Sequence, residues 1–343
     1  MSQTLIDAEM VGVGVTPDVH RNDIINGGLV VNQENQTAPA DAAYTIGDLF
    51  LHNGEGTPVM SLETDGPQGT RPWQKMVLDA NDQGGLAYIV PNETVQDYIA
   101  NGKMSFGIQL KTTSATISNA RIGVIKWTGT ADAVTKELVG TWASDGTNPT
   151  LATSLSYENT PANLGLTTSW ARHTVEDVTV DADTKNIILF VWTNDGTITA
   201  SDVIGFSEWQ LNPGSTVNAF STPSEAQVLQ DVDRFIQRFN MDSVNYEVLT
   251  TGYLSTTTNA KLTLHFRRSL RAAPTVTASA TSTWAAGYGA ANSTPSAFAF
   301  TAIGTMCVNI DATVGSSTAG FGCYMYRAIA ATAYVMADSR MGV

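Results

Sequence analysis

The run IGFSEWQLNPGSTVNAFSTPSEAQVLQDVDRFIQRF, Ile204–Phe239, decides the fold. It reads as a strand, a turn, an Ala-Phe-Ser-Thr-Pro exit and then a capped amphipathic helix. A β-unit closes here and a linker to the next unit begins. Thr222-Pro223-Ser224-Glu225 supplies an N-cap hydroxyl, a Pro at the first helical position and a Glu three residues after the cap. Apolar residues then recur at Val228, Val232, Phe235 and Phe239, a four-three-four spacing flanked by Leu229 and Ile236. So short a helix needs tertiary partners to be stable. Two readings of its stripe stay open: packing against its own sandwich, or a subunit interface.

Upstream, from Asp23, the chain is a series of short alternating runs: Ile24–Val31, Gln74–Leu78, Leu86–Val90, Met104–Leu110, Arg121–Trp127, Val175–Val180 and Ile187–Thr193. Between them stand Asn53-Gly54, Asp65-Gly66-Pro67, Gly84-Gly85, Asn101-Gly102, Asp145-Gly146 and Asp195-Gly196. Asx-Gly pairs supply the positive φ of tight hairpins, so an antiparallel sandwich is predicted with essentially no helical periodicity before the linker. Downstream, Tyr246–Tyr253, Ala260–Phe266 and Thr275–Ala280 alternate well, and Ala278–Ala297 reads as a loop or loose hairpin. The predicted fold is all-β: a jelly-roll β-sandwich, a short linker helix and a smaller C-terminal β-sandwich. The expected boundaries are an arm at 1–22, the jelly roll at 23–221, the helix at 222–242 and the last unit at 243–343.

Composition narrows the function classes. Of 343 residues 43% are hydrophobic and 15% charged, so Thr, Ser, Asn and Gln must cover much of the surface. A net charge of −14 disfavours nucleic-acid binding. The one dense basic cluster, His265-Phe266-Arg267-Arg268 with Arg271, reads as a strand end facing solvent. No run is apolar and long enough for a membrane-spanning helix, and Met1–Asp7 lacks a signal-peptide pattern. Cys307 and Cys323 lack zinc spacing and read as buried thiols in adjacent strands, with a single disulfide as the alternative.

No catalytic signature, metal site or cofactor motif emerges. Val11-Gly12-Val13-Gly14-Val15 fails the dinucleotide fingerprint, since Pro17 occupies the third Gly position. Asp181-Ala182-Asp183-Thr184-Lys185 starts like a calcium loop, but Lys185 takes a ligand position. Glu176 and Asp177, adjacent on a predicted strand, should face opposite sides. His173 reads as a hydrogen-bonded structural residue. Aromatic rings remain as binding candidates, because apolar sugar C–H faces stack on them. Trp170, Trp192 and Trp209 lie in predicted strands and read as core. Trp73, Trp142 and Trp284, beside turn-rich segments, are the glycan-binding candidates, with Tyr288.

Several pieces resemble the jelly-roll module of phage tail fibres and related virion appendages. They are Ile24-Ile25-Asn26-Gly27-Gly28-Leu29, Tyr44–Phe50, Met104–Leu110, Trp170-Ala171-Arg172-His173-Thr174 and the closing Trp209-Gln210-Leu211, Gly214-Ser215 and Ala219-Phe220. Phe266–Val276 and Ala331–Ser339 resemble tail-fibre C-terminal strands. The resemblance implies a carbohydrate-binding-module-like jelly roll in a structural, non-enzymatic tail or head fibre of a tailed bacteriophage. It implies a homotrimer in the virion, contacts with other virion proteins and recognition of host surface polysaccharide. A capsid decoration or baseplate protein and a polysaccharide depolymerase are the alternatives.

Overall fold

A computed structural model describes residues 21–79, 83–114, 116–143, 146–194, 198–241, 246–289, 291–315, 317–328 and 333–342. Most of the arm, with Val11–Val15 and His20, and the Asp195-Gly196 pair lie outside the described residues, as does Asp145. The fold is all-β: a jelly-roll sandwich, a short helix and a smaller β-unit.

Two antiparallel sheets build the jelly roll. The first runs, in spatial order, Ala43–Tyr44, Phe50–Gly54, Gly84–Val90, Asn186–Thr193, Asn119–Trp127 and Leu155–Tyr157, with Leu164–Gly165 also on Asn119–Trp127. The second runs Ala171–Thr179, Lys103–Thr112, Val203–Pro213, Trp73–Val77 and Val59–Glu63. Alternation sends Phe106, Ile108, Leu110, Phe206 and Leu211 inward, where fully buried Trp209 meets Phe50, Phe106 and Phe206 at 4.9, 5.8 and 6.2 Å. The other side of the first sheet is covered too. Trp142 packs on Phe190 and Tyr157 on Trp192, and Leu138, Leu151 and Leu155 join the same core. That sheet is therefore apolar on both faces, and only the second keeps an open one.

Local readings needed correction. Ile24–Val31 is a turn rather than a strand, with Asn26 and Leu29 at φ 63° and 57°. Asn26 holds it shut, donating to Val31 and Gly47 carbonyls and accepting from Val31 N. Tyr44–Phe50 is likewise a hairpin corner between two strands. Asn53-Gly54 and Gly84-Gly85 lie within strands. Asn101-Gly102 is no hairpin either: it ends a ten-residue helix, α1 (Asn92–Asn101), where Gly102 takes φ 75° and donates to Tyr98 O. Pro91 before it, Glu93 in its first turn and buried Val95 and Tyr98 were its sequence signals.

The second helix, α2 (Glu225–Val232), is shorter than its stripe. Ser224, not Thr222, caps it by accepting from Gln227 N. Phe235 lies in the following turn and Phe239 in the strand Ile236–Met241. Val228, Val232 and Phe235 are 2%, 0% and 2% exposed within the jelly-roll core, and Phe239 packs on the C-terminal core against Phe266. The predicted interface helix is thus corrected: its apolar stripe is consumed within the chain. Burial stabilises by about 1.5–3 kcal/mol per such side chain, which is how eight residues hold a helix.

C-terminally, a three-stranded sheet (Ile236–Met241, Ala333–Asp338, Thr275–Ala278) accompanies a seven-stranded one. The latter runs Ala291–Ser293, Trp284–Tyr288, Gly322–Arg327, Val248–Leu254, Asn259–His265, Cys307–Thr313 and Ala297–Thr301. Cys307 and Cys323 are free thiols on strands separated by two others, not neighbours. The basic cluster follows the end of the strand Asn259–His265 with His265, Arg267 and Arg268 exposed, and its arginines are also fastened to the chain. Arg267 bonds Asp233 and Gln33, Arg268 bonds Gln230, and Arg271 bonds Ser339 O. Nearby, Arg340 is buried with Asp338 in a bidentate pair at 2.6 and 3.0 Å and donates to Asp48 O. Its Nη1 also lies 2.7 Å from Glu34 Oε2 as an ion pair outside hydrogen-bond alignment. With Tyr44 Oη donating to Met341 O, the chain's last strand is tied onto the first sandwich.

Candidate functional site

The open face of the second jelly-roll sheet follows from register. Gln109 pairs with Ser207 and Arg172, and Lys111 with Gly205, so these residues share the side opposite Ile108 and Leu110. Gly205 pairs in turn with Lys75, carrying the face to the strand Trp73–Val77. Missing side chains shape the floor. A Cβ on Gly205 would stand 2.9 and 3.0 Å from the Trp73 and Trp170 rings, and one on Gly107 would stand 2.8 Å from Arg172 Nη2. Rings and guanidinium therefore lie directly on backbone.

A bulge between Ser207 and Gln210 sets the site's one acid. Glu208, at φ 50°, leaves the alternation and is 5% exposed. The exit segment returns across the face, with Asn218 O accepting from Arg172 Nη2 at 3.2 Å and Ser105 Oγ donating to Gly214 O at 2.9 Å. Between this roof and the sheet lies a cleft of about 310 Å³ lined by Gln68, Arg71, Gln109, Arg172, Glu208 and Phe220, with Ala219 at its rim. Arg71 reaches toward Glu208 at 3.6 Å and lies 5.4 Å from the Phe220 ring centre. Burial lowers the Arg172 pKa, while Glu208 and Glu176 oppose that from outside ion-pair range. Gln109 Oε1 is buried and accepts no hydrogen bond.

Beside the cleft, Trp73 and Trp170 meet edge to face at 5.4 Å and 79°. Lys111 Nζ stands 4.0 and 4.7 Å from their ring centres. Trp73 Nε1 donates to Asp65 at 2.8 Å, and that bond holds the exposed Asp65 carboxyl below its usual pKa.

The four aromatic candidates are not brought together. Trp73 reaches the open face but is 4% exposed, under Trp170 and Lys111. Trp142 is half-buried against Phe190 on the first sheet. Trp284 is 0% and Tyr288 6% exposed in the C-terminal core, so neither offers a ring face to a ligand. Proximity to turns misled because strand alternation, not loop distance, sets exposure. Trp170, assigned to the core, is the half-buried ring on the face. Gln109, Lys111 and Arg172 were missed; their signal was polar residues alternating with Ile108, Leu110 and His173. Glu208 had no such signal, because a bulge breaks the period. Another bulge, at Val175/Val178, holds Glu176 and Asp177 apart: Glu176 accepts from Val217 N and Asp177 pairs with Lys103. His173 Nε2 has no hydrogen-bond partner, and burial lowers its pKa.

No family model and no curated protein matches the sequence. Among solved structures, the chain is similar to TmCBM61 in complex with β-1,4-galactotriose, at 12% identity over 57% of this chain and 99% of that one, TM-score 0.32. It is similar to the CBM22-1 xylan-binding domain of Paenibacillus barcinonensis Xyn10C, at 8% identity over 57% and 96%, TM-score 0.30. A third is the family 11 carbohydrate-binding module of Clostridium thermocellum with a β-1,3-1,4-mixed-linked tetrasaccharide, at 11% over 49% and 89%, TM-score 0.29. At such low identities and TM-scores, the functional reading rests on the chemistry of the open face itself.

Proposed function

We propose that the open jelly-roll face binds a saccharide and that the chain is a non-enzymatic virion appendage displaying that site. The carrying observation is the convergence on one face of aromatic rings (Trp170 over Trp73, Phe220) with guanidinium donors and the Gln109 amide in the cleft lining. A sugar ring has an apolar C–H face and a hydroxyl rim, and it needs both kinds of surface. Glu208 is the single carboxylate lining the cleft, whereas glycoside cleavage ordinarily uses a pair, so binding is favoured over depolymerisation. Calorimetric titration with bacterial surface polysaccharide fragments tests this. Trp170→Ala should weaken binding about ten-fold, the equivalent of about 1.4 kcal/mol, with the melting temperature nearly unchanged. Unchanged affinity in Trp170→Ala would remove the face from the binding reaction.

The appendage part draws on the sequence resemblance and on a second surface. Tyr246, Val248, Tyr253, Phe321 and Tyr324 are each 43–56% exposed on the C-terminal unit. Tyr246, Tyr326 and Tyr324 follow one another at 5.8 and 5.4 Å. With the helix stripe already covered, this patch is where a homotrimer would form. Native mass spectrometry should give about 109 kDa, three chains of 36.4 kDa each. Tyr253→Lys with Tyr324→Lys should return it to one chain. A single-chain mass for the parent protein would favour a decoration or partner-dependent structural role.

A further inference from the structure

Resting on the saccharide reading of the open face, we infer that the ligand is acidic: a saccharide bearing a carboxylate, which docks against Arg172 and Lys111. The inference comes from the charge left over at the site. Four cations lie on this face, Arg71, Arg172, Lys111 and Lys75, in a chain whose net charge is −14. Arg71 alone has a carboxylate within ion-pair distance, Glu208 at 3.6 Å.

Arg172 is half-buried, lies over Gly107, and has the Asn218 carbonyl as the one hydrogen-bond partner of its guanidinium. Desolvating a guanidinium without a counter-ion is costly, and a planar fork with free N–H groups matches a carboxylate in two-point geometry. Glu208 and Glu176 moderate that cost from a distance without pairing. Lys111 makes no ion pair; its ammonium is held over Trp73 and Trp170, with Asp65 acting on the same edge through space. Arg172 and Lys111 flank Gln109, since Gln109 pairs with Arg172 and lies two residues from Lys111 on the same strand face. A ligand carboxylate toward these cations would leave its hydroxyls to the cleft lining at Gln109 and Glu208, and its C–H face to Trp170.

The test compares each acid with its own methyl ester, which keeps the skeleton and removes the charge. Trigalacturonate, a glucuronate disaccharide and an N-acetylneuraminate trisaccharide, each beside its ester, are titrated calorimetrically into the full chain. At least one acid should bind about ten-fold more tightly than its ester, as expected for charge-assisted hydrogen bonds, and the margin should shrink with added salt. Arg172→Gln should abolish the margin, which is read as the acid-to-ester ratio within the variant and so holds whether or not ester binding also weakens. Arg172→Lys should restore part of it, which a merely structural arginine would not do. If no acid outbinds its ester, or if Arg172→Gln leaves the margin intact, the proposal is overturned. Retained binding of esters or neutral fragments would then show that the saccharide reading itself survives, and loss of all binding would show that both fall.

Discussion

The two β-units place their aromatic residues in opposite ways. The jelly roll buries its large rings (Trp192, Trp209, Phe50, Phe106, Phe190 and Phe206) and shows a polar open face. The C-terminal unit fills its core mainly with small and branched residues, among them Ala260, Ala286, Ala312, Ala333 and Ala337 around one Trp284. It leaves Tyr246, Tyr253, Phe321 and Tyr324 outside. Similar local alternation thus yields one surface suited to hydrogen-bonding a polar ligand and another suited to apolar contact. What differs is which phase of the period-2 pattern carries the rings.

The sharpest way to break the contrast is Trp209→Ala. That ring touches Phe50, Phe106 and Phe206, and its loss should cost about 3–5 kcal/mol in chemical denaturation. Arg340→Ala should cost a similar amount or slightly less, about 3–5 kcal/mol, because buried Asp338 and nearby Glu34 lose their counter-ion. Its signature differs: the C-terminal sheets should loosen from the jelly roll, seen as faster hydrogen exchange at Ala333–Asp338. On the exposed side, Tyr324→Ser should change stability by only about 0.5 kcal/mol, the range typical of surface sites. A stability loss as large as that of Trp209→Ala would mean the tyrosine patch is structural.

A smaller effect concerns pH. His52 is buried, with Nδ1 3.2 Å from Ala40 O, and burial lowers its pKa below the usual 6.5. The unfolded chain therefore takes up a proton before the folded chain does. The stability that neutral His52 contributes is complete above the unfolded pKa and is lost as pH falls toward the folded one. His173 acts with the same sign, while Glu158, raised by burial, acts with the opposite sign. His52→Gln should accordingly flatten the decline in melting temperature between about pH 7 and about pH 5. A parallel decline in both proteins would exclude His52 as a contributor.

Much of the fold was legible in sequence wherever period 2 or a short apolar run bounded by turn residues persisted. Met104–Leu110 lies within the strand Lys103–Thr112, Arg121–Trp127 within Asn119–Trp127 and Ile187–Thr193 within Asn186–Thr193. Apolar alternation leaves a strand little freedom in how it pairs, and Ile187–Thr193, apolar throughout and buried on both faces, has as little. Legibility failed at turns and caps, where Asx-Gly means hairpin, helix end or strand interior according to its neighbours. Asn101-Gly102 and Asn53-Gly54 are alike in sequence and unlike in structure.

The sequence by itself determined the all-β class, the alternating strands and the capped apolar segment after Phe220, because local spacing and backbone chemistry dictate these. Only tertiary structure decided where that segment's apolar stripe is spent, since Val228, Val232 and Phe235 find partners from distant strands. It also decided which rings reach water and which cations remain unpaired. Trp170, Arg172, Lys111, Gln109 and Glu208 meet through strand register and one bulge, a juxtaposition that spacing along the chain does not encode.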